Sequence, residues 1–359
     1  MTQQNLFGID NQLKRLSDLG DQLETLGSVV DFEVFRLDLI MALRRSDGSK
    51  GGRPPYDIVT MFKILVIQAM NDLSDERVEF LINDRLSFMR FLGFEPGERM
   101  PDARTIWLYR DQLTGANAID ALFQRCDAMI QSKGYIAMGG QIADATIVPA
   151  PKQRLKDEEK IQIKQGKRAA EIWDNPHKAC HKDTDARWSI KYSRAKTLPD
   201  GSKKTGHVDI AIPAFGYKNH IATDRRFGFI RGFEVTGASA YDGRYLRDVL
   251  KKDNTASDVW ADSAYRSKKN ETWLDRNGFK SRIHQKKPKG KPMPERTRIA
   301  NARRSSVRSK VEHVFGDQKN RMGLFVRTIG IARAKVKIGM VNIAYNMRRL
   351  IYHERLNAA

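Results

Sequence analysis

The chain has 359 residues, with 64 Lys+Arg against 43 Asp+Glu, a formal net charge of +21 and a sequence pI of about 9.9. An excess of this size points to a polyanionic partner, with DNA or RNA first and an anionic membrane surface second. Two cysteines, Cys126 and Cys180, exclude a disulfide framework or a Cys-rich zinc module and suit a reducing cytoplasm. The N-terminus lacks the charged-then-apolar order of a secretion signal, and the most apolar run, Ile58 to Met70, is too short to span a bilayer and holds Lys63. The expectation is a cytoplasmic, nucleoid-associated protein with no membrane part.

Residues 1–135 read as helices. Asp31 to Leu43 has apolar residues at helical spacing, and Gly48 to Pro55 reads as a hinge. Asp57 can N-cap a helix through Met70, Ser74 or Asp75 a second carrying Val78, Leu81 and Ile82, and Asp102 a third carrying Ile106, Trp107 and Leu113. Leu86 to Phe94 is rich in Phe and Leu. Such a unit can bind DNA as a helix-turn-helix, with Arg104, Thr105 and Arg110 near the start of the last helix, or serve packing and dimerisation.

From about residue 136 to 359 the pattern becomes α/β. Ile142–Val148, Val208–Ile212 with Tyr217–Thr223, Phe229–Val235 and Asp258–Ala261 read as strands, and Arg282–His284 as a last one. Short helices fall at Arg244–Lys252 and at Lys269–Arg276, the latter stopped by Asn277-Gly278. Residues 149–206 form a charged insertion with little apolar content apart from Ile161, Ile163, Ile172 and Trp173, and Lys152–Arg168 can be a solvated helix. Lys286 to Lys310 holds ten basic residues and one acidic; it starts as a mobile basic loop and passes into a helix through Lys319. Ile331 to Leu350 is a final helix. This order predicts a central mixed sheet flanked by helices.

Three acids carry the chemistry. Asp144 closes the apolar stretch Ile142-Ala143-Asp144-Ala145, Asp262 closes Val259-Trp260-Ala261-Asp262, and Glu312 lies within a strongly basic helix. Sites form at the ends of central strands in such sheets, so Asp144 and Asp262 can be neighbours. Carboxylates held together repel unless protonated or bound to cations, and an all-oxygen set suits Mg²⁺ or Mn²⁺. At about 100° per residue, Ser305, Arg308, Glu312 and Lys319 share one helical stripe, which puts a carboxylate between two phosphate-binding cations. Taken singly, Asp144 can be a strand-end cap, Asp262 a turn starter, and Glu312 an i,i+4 partner of Arg308.

The chain resembles the insertion-sequence transposases of the bacterial IS5 family, which carry a DDE catalytic domain of the RNase H-like superfamily. The resemblance rests on Ala143-Asp144-Ala145-Thr146-Ile147-Val148, Phe215-Gly216-Tyr217-Lys218-Asn219-His220, and Val259-Trp260-Ala261-Asp262-Ser263-Ala264-Tyr265. Arg308, Glu312 and Lys319 match three members of the signature tyrosine-x2-arginine-x3-glutamate-x6-lysine. N-terminal stretches Gly52–Tyr56, Asp84–Phe88 and Pro101–Thr105 extend it over nearly the whole chain. Ser305 stands where the signature has tyrosine, which bears on a phosphate or leaving-strand contact, and Ser239 where relatives often carry asparagine.

The resemblance implies an all-α N-terminal domain and an RNase H-like catalytic domain interrupted by the insertion. It implies Asp144, Asp262 and Glu312 as ligands of two Mg²⁺ ions, replaceable by Mn²⁺ and about 4 Å apart. Transposon-end DNA would be cut, and the freed 3′-hydroxyl joined to target DNA, in a synaptic complex of at least two protomers. Lys218, His220, Arg304, Arg308, Lys319, Arg104 and Arg110 are the expected DNA contacts, with Lys286–Arg304 clamping phosphates. A nuclease that only cuts, or a non-catalytic DNA-binding regulator, are the alternatives. A zinc site at His177, Cys180 and His181 lacks a second ligand pair, and Tyr241 and Tyr265 lack the neighbourhood of a recombinase nucleophile.

Overall fold

A computed structural model describes residues 8–43, 54–193 and 210–358. The expected caps open their helices. Asp57 accepts the Val59 and Thr60 amides at 2.9 Å to start Ile58–Asn71. Ser74 accepts Arg77 N at 3.1 Å to start Asp75–Asp84, and Asp102 accepts Thr105 N at 2.7 Å to start Ala103–Gly115. Each such cap contributes about 1 kcal/mol.

Asp31–Leu43 is not one helix. Asp31 caps a 3₁₀ turn, Phe32–Phe35, that leads into Arg36–Leu43. The three-residue period puts Phe32 and Phe35 on one side, where both rings meet Phe62, at 6.5 and 4.8 Å between centroids. Helices Gly8–Asp18, Gln22–Val29 and Ile119–Ser132 also form, within the stretch that reads as helical. The hinge reading at Gly48–Pro55 falls mostly outside the described residues.

Among the described residues six strands make one sheet: β1 (Gln141–Pro149), β2 (Arg187–Ser193), β3 (Ile210–Asp224), β4 (Ile230–Gly237), β5 (Asp258–Trp260) and β6 (Lys280–Ser281). Their order is β2-β3-β1-β5-β6, with β4 also on β3; β1, β3 and β4 are antiparallel, while β1-β5 and β5-β6 are parallel. The two strand arms expected at 208–212 and 217–223 are one long strand, of which Val208 lies outside the described residues. Its outer edge holds β2 up to Gly216 and β4 from Tyr217 onward. Gly216 has φ +149, and a Cβ there would collide with the Val148 carbonyl oxygen, so this change of partner requires glycine.

The last helix, Ile331–Ala358, runs longer than expected and joins the two halves of the chain. It packs on helix Ile58–Asn71, helix Ile119–Ser132 and β4, so N-terminal helices and one sheet face share a single apolar core. The other sheet face is covered by Leu246, Val249, Tyr265 and Leu274. No helix among the described residues is long and apolar enough to cross a membrane.

Two buried polar clusters fix this packing. Asn219 on β3 and Gln318 both donate to Asn342 Oδ1 on the last helix, at 2.9 and 2.8 Å, and all three are fully buried. Arg231 on β4 is closed by Asp127 at 2.6 Å and Asp224 at 3.1 Å. The insertion contributes as well. Asp185 accepts Ile331 N at 2.9 Å, and Asp183 accepts Gly330 N at 3.3 Å and the Tyr217 hydroxyl, so its end caps the last helix. The rest of the insertion carries a small core of its own, Ile163, Trp173 and Ala179. Lys152–Arg168 holds a helix only over Asp157–Lys164.

Asn342→Ala leaves Asn219 and Gln318 short of a partner, with an expected loss of roughly 1–3 kcal/mol in denaturant unfolding. Arg231→Ala strands two carboxylates in the core and is expected to cost more, about 3–5 kcal/mol in the same measurement.

Candidate active site

Parallel pairing sets the site. Gln141 pairs with Val259 and Ile142 with Trp260, an offset of 118 (259 − 141). Asp144 and Asp262 differ by the same 118 (262 − 144), so the register continued past the end of β5 puts them level on adjacent chains. The β5–β6 pairing does the same one chain further on. Asp258 pairs with Lys280, and the offset of 22 (280 − 258) places His284 beside Asp262. His284 N donates to Ala261 O at 3.1 Å, which confirms that alignment.

Asp262 N-caps the 3₁₀ turn Ser263–Tyr265, its Oδ1 accepting Ala264 N at 2.7 Å. The turn-starter reading thus holds locally, and it orients the carboxylate. Asp144 is mostly buried. Burial, reinforced by the Asp262 charge, pushes its carboxyl up to about 6, against the pull of the Ala145 amide and Arg308. Arg308 Nη1 donates to Asp144 Oδ2 at 2.6 Å, while Nη2 reaches Glu312 Oε1 at 3.3 Å. Glu312 lies on helix Lys310–Gly316, held to the sheet by buried Val311 and Val314, with its own side chain 62% exposed. One guanidinium thus ties the first-strand aspartate to the helical glutamate.

The donors fit a divalent cation by chemistry: they are hard oxygens, and burial with the neighbouring Asp262 charge raises the Asp144 carboxyl in spite of Arg308, so added positive charge there would favour its ionised form. Their arrangement is not a closed cage. Among the described residues, no three His, Cys, Asp or Glu side chains stand close enough to hold one ion together. Asp144 and Asp262 stand level on adjacent chains, and Arg308 bridges Asp144 to Glu312.

The remaining expected residues are placed unevenly. The helical stripe from Ser305 to Lys319 is broken, because the chain passes from Glu295–Arg308 through Ser309 into Lys310–Gly316 and then into a π turn, Asp317–Arg321. Exposed Lys319 lies within that turn, whose wider i→i+5 spacing is seen in Met322 N to Asp317 O. Arg304 lies on a helix that starts at Glu295, not in a loop, and donates to Ile283 O at 3.1 Å. Ser305 Oγ is 3.4 Å from His284 Nε2.

Lys218 and His220 face inward. Register places Asp144 opposite Ile221, so the neighbours of Ile221 along the strand point to the other sheet face. Lys218 Nζ is held by Asp242 at 2.7 Å and by Ala240 O, and His220, 1% exposed, bonds Thr236 Oγ1 at 2.9 Å and stacks on Tyr245. As folded, His220 offers no surface to DNA. In the helical half, Arg110 is closed bidentate on Asp75 at 2.7 and 2.6 Å, while Arg104 is exposed. The Cys180 thiol turns back to His177 O at 3.2 Å, a local helix contact.

Sequence reasoning missed His284 and Tyr265 as neighbours of the acids. Desolvation and then Arg308 lower the His284 pKa, while Asp262 raises it; Tyr265 is pushed far up by burial and by Asp144, Asp242 and Asp262. The offset of 22 would have found His284 had the pairing of the last two strands been known.

The Asp144 carboxyl titrates higher in the folded chain than in the unfolded one, so its ionisation costs stability. That cost is absent below the unfolded value near 3.8 and complete above about 6. Asp144→Asn is therefore expected to melt a few degrees higher than the parent at pH 8 in EDTA, with the gap closing towards pH 4. A lower melting temperature at pH 8 would contradict this electrostatic account.

Residues 11–112 match the family described as Transposase domain (DUF772), and residues 137–347 match the family described as Transposase DDE domain. No solved structure matches the chain. The second match covers more than half of the sequence and contains all three acids. A mixed sheet with its parallel strands at one side and helices on both faces is the RNase H-like fold that such a domain implies. The chain belongs to the transposase DDE domain family.

Proposed function

We propose that this chain is an insertion-sequence transposase of the IS5 kind, which cleaves DNA at the transposon ends and joins the freed 3′-hydroxyls to target DNA. The observation that carries this reading is the alignment of Asp144 with Asp262 by a common register, with Glu312 tied to them through Arg308. Asp144, Asp262 and Glu312 would hold two Mg²⁺ ions, or Mn²⁺ in their place. Bound there, the ions supply charge neutralisation at the phosphate and Lewis acidity towards the attacking and leaving oxygens.

The chain's own groups set the rest. Both steps are in-line phosphoryl transfers, first to water and then to a 3′-hydroxyl, so no side chain need become covalently attached. Arg308 has a planar fork suited to a phosphate, and its Nε is buried without a partner. With DNA bound, the same guanidinium can exchange a carboxylate for a phosphate oxygen while keeping the other. Tyr265, neutral and buried, closes the site from below. Arg304, Lys319 and Arg104 remain proposed DNA contacts, and two transposon ends require at least a dimer in the synaptic complex. The protein would act on DNA in the cytoplasm, at the nucleoid.

A nuclease that only cuts would share the first half of this chemistry. The test is an assay on labelled DNA carrying the ends that flank the gene, with Mg²⁺ or EDTA. Cleavage with joined products is expected, and Asp262→Asn should lower both by roughly a hundredfold or more while binding in EDTA persists. Cleavage without joining would establish the nuclease instead, and tight binding with no cleavage a DNA-binding regulator.

A further inference from the structure

Beside Glu312 lies a second feature, a groove of about 460 Å³ between the catalytic helix and the last helix. Tyr345 forms its floor, buried and bonded to Gly228 O at 3.2 Å. Arg321, Arg348 and Arg349 line its walls, and Tyr352 stands at its far end. Arg348, Tyr352 and Arg355 recur at helical spacing, one cationic and aromatic stripe on the solvent side of Ile331–Ala358.

The residues are arranged unlike a solvated helix face. Tyr352 is 49% exposed, an aromatic ring left in water, and the Arg349 guanidinium lies over it at 4.7 Å. Arg349 is itself fixed by donating to Phe227 O at 2.7 Å, so the ring is braced on one side. Arg321 leans on Asp317 at 3.4 Å but is 71% exposed. No carboxylate engages Arg348 among the described residues. A braced, half-exposed ring among cations matches what an unpaired nucleotide requires: a π-face for the base and charges for its phosphates.

We infer that this groove binds an unpaired nucleotide of the DNA adjoining the cleavage point, with its base stacked on Tyr352 and its phosphates at Arg348 and Arg321. Glu312 belongs both to the groove and to the acidic row, so a strand leaving the site meets these residues next. A base within a duplex has its faces covered, so the groove selects an end that is frayed or already opened. This rests on the DNA-cleaving reading above.

The test uses the full chain in EDTA, where binding is read without chemistry. Fluorescence anisotropy would compare a blunt duplex with one bearing a short single-stranded end, a 2-aminopurine reporting on stacking. The parent is expected to prefer the open end by roughly 5- to 100-fold and to quench the reporter. Tyr352→Leu should lose both the preference and the quenching, while Tyr352→Phe, which keeps the π-face, should retain them. Arg348→Gln should weaken both DNAs and flatten the salt dependence by about one charge. Equal affinity of the parent for both ends, or a preference untouched by Tyr352→Leu, overturns the inference while leaving the catalytic reading intact. Failure of the parent to bind any DNA removes both.

Discussion

The parallel pairing of β1 with β5 is the constraint on which the site depends. Two acids 118 positions apart meet only because two neighbouring strands run in the same direction with that offset. Parallel strands need a crossover, and here it consists of β3, β4 and the helix Leu246–Val249, which return the chain to the opposite side of β1. A slip of one residue in β5 would exchange the faces of Val259 and Trp260, taking each out of the apolar cluster it packs in. The packing of small residues therefore helps to hold the alignment of the two acids. Ala143, Ala222 and Ala261 bring the strands against Leu246 and Tyr265 on the face opposite Asp144.

The third acid is held differently. Glu312 reaches the site from a helix whose far end dissolves into a π turn, and that turn carries Gln318 into the amide cluster with Asn219 and Asn342. The extra residue of the π turn lets Gln318 point into the core while the helix keeps Val311 and Val314 on the sheet. A buried amide cluster specifies one arrangement more sharply than apolar contacts would, because each member left unpaired costs the full desolvation of its polar group. The position of Glu312 is thus set by hydrogen bonds some residues away from it, together with the Arg308 clamp.

Much of this was legible in the sequence, for local reasons. Asp57, Ser74 and Asp102 act within three residues of themselves, and the end of β5 before Asp262 follows from an apolar run that stops, whereas β1 continues past Asp144 to Pro149. What failed was what depends on partners. The side of β3 that faces the acids is a matter of parity: Asp144 meets Ile221, and this parity sends Lys218 and His220 to the other face. Nothing within Gly-Tyr-Lys-Asn-His reveals it. Arg110 reads as a DNA contact until Asp75, thirty-five positions away, is seen to close on it. The helical stripe failed because 3.6 residues per turn was carried through a segment that does not keep that period.

The net charge, read as a whole-chain signal for nucleic acid, becomes more specific once the paired cations are set aside. Arg90, Arg110, Arg125, Arg231, Lys218, Arg333 and Lys335 are all tied to carboxylates, and they join helices to one another or to the sheet. Exposed cations remain in the helical half, as at Arg99 and Arg104, and others stand at Lys286, Lys287, Lys289 and Lys291, at Arg296 and Arg303 on the following helix, and along the last helix. The latter flank the segment that carries Arg308 and Glu312 in sequence, and in space they include the walls of the groove beside Glu312. An exposed cation gains little from a distant partner, since salt screens it beyond about 10 Å. Charges useful to a phosphate backbone must therefore stand near where the backbone passes, and the exposed cations beside the acids are the ones that bear on the proposed cleavage site.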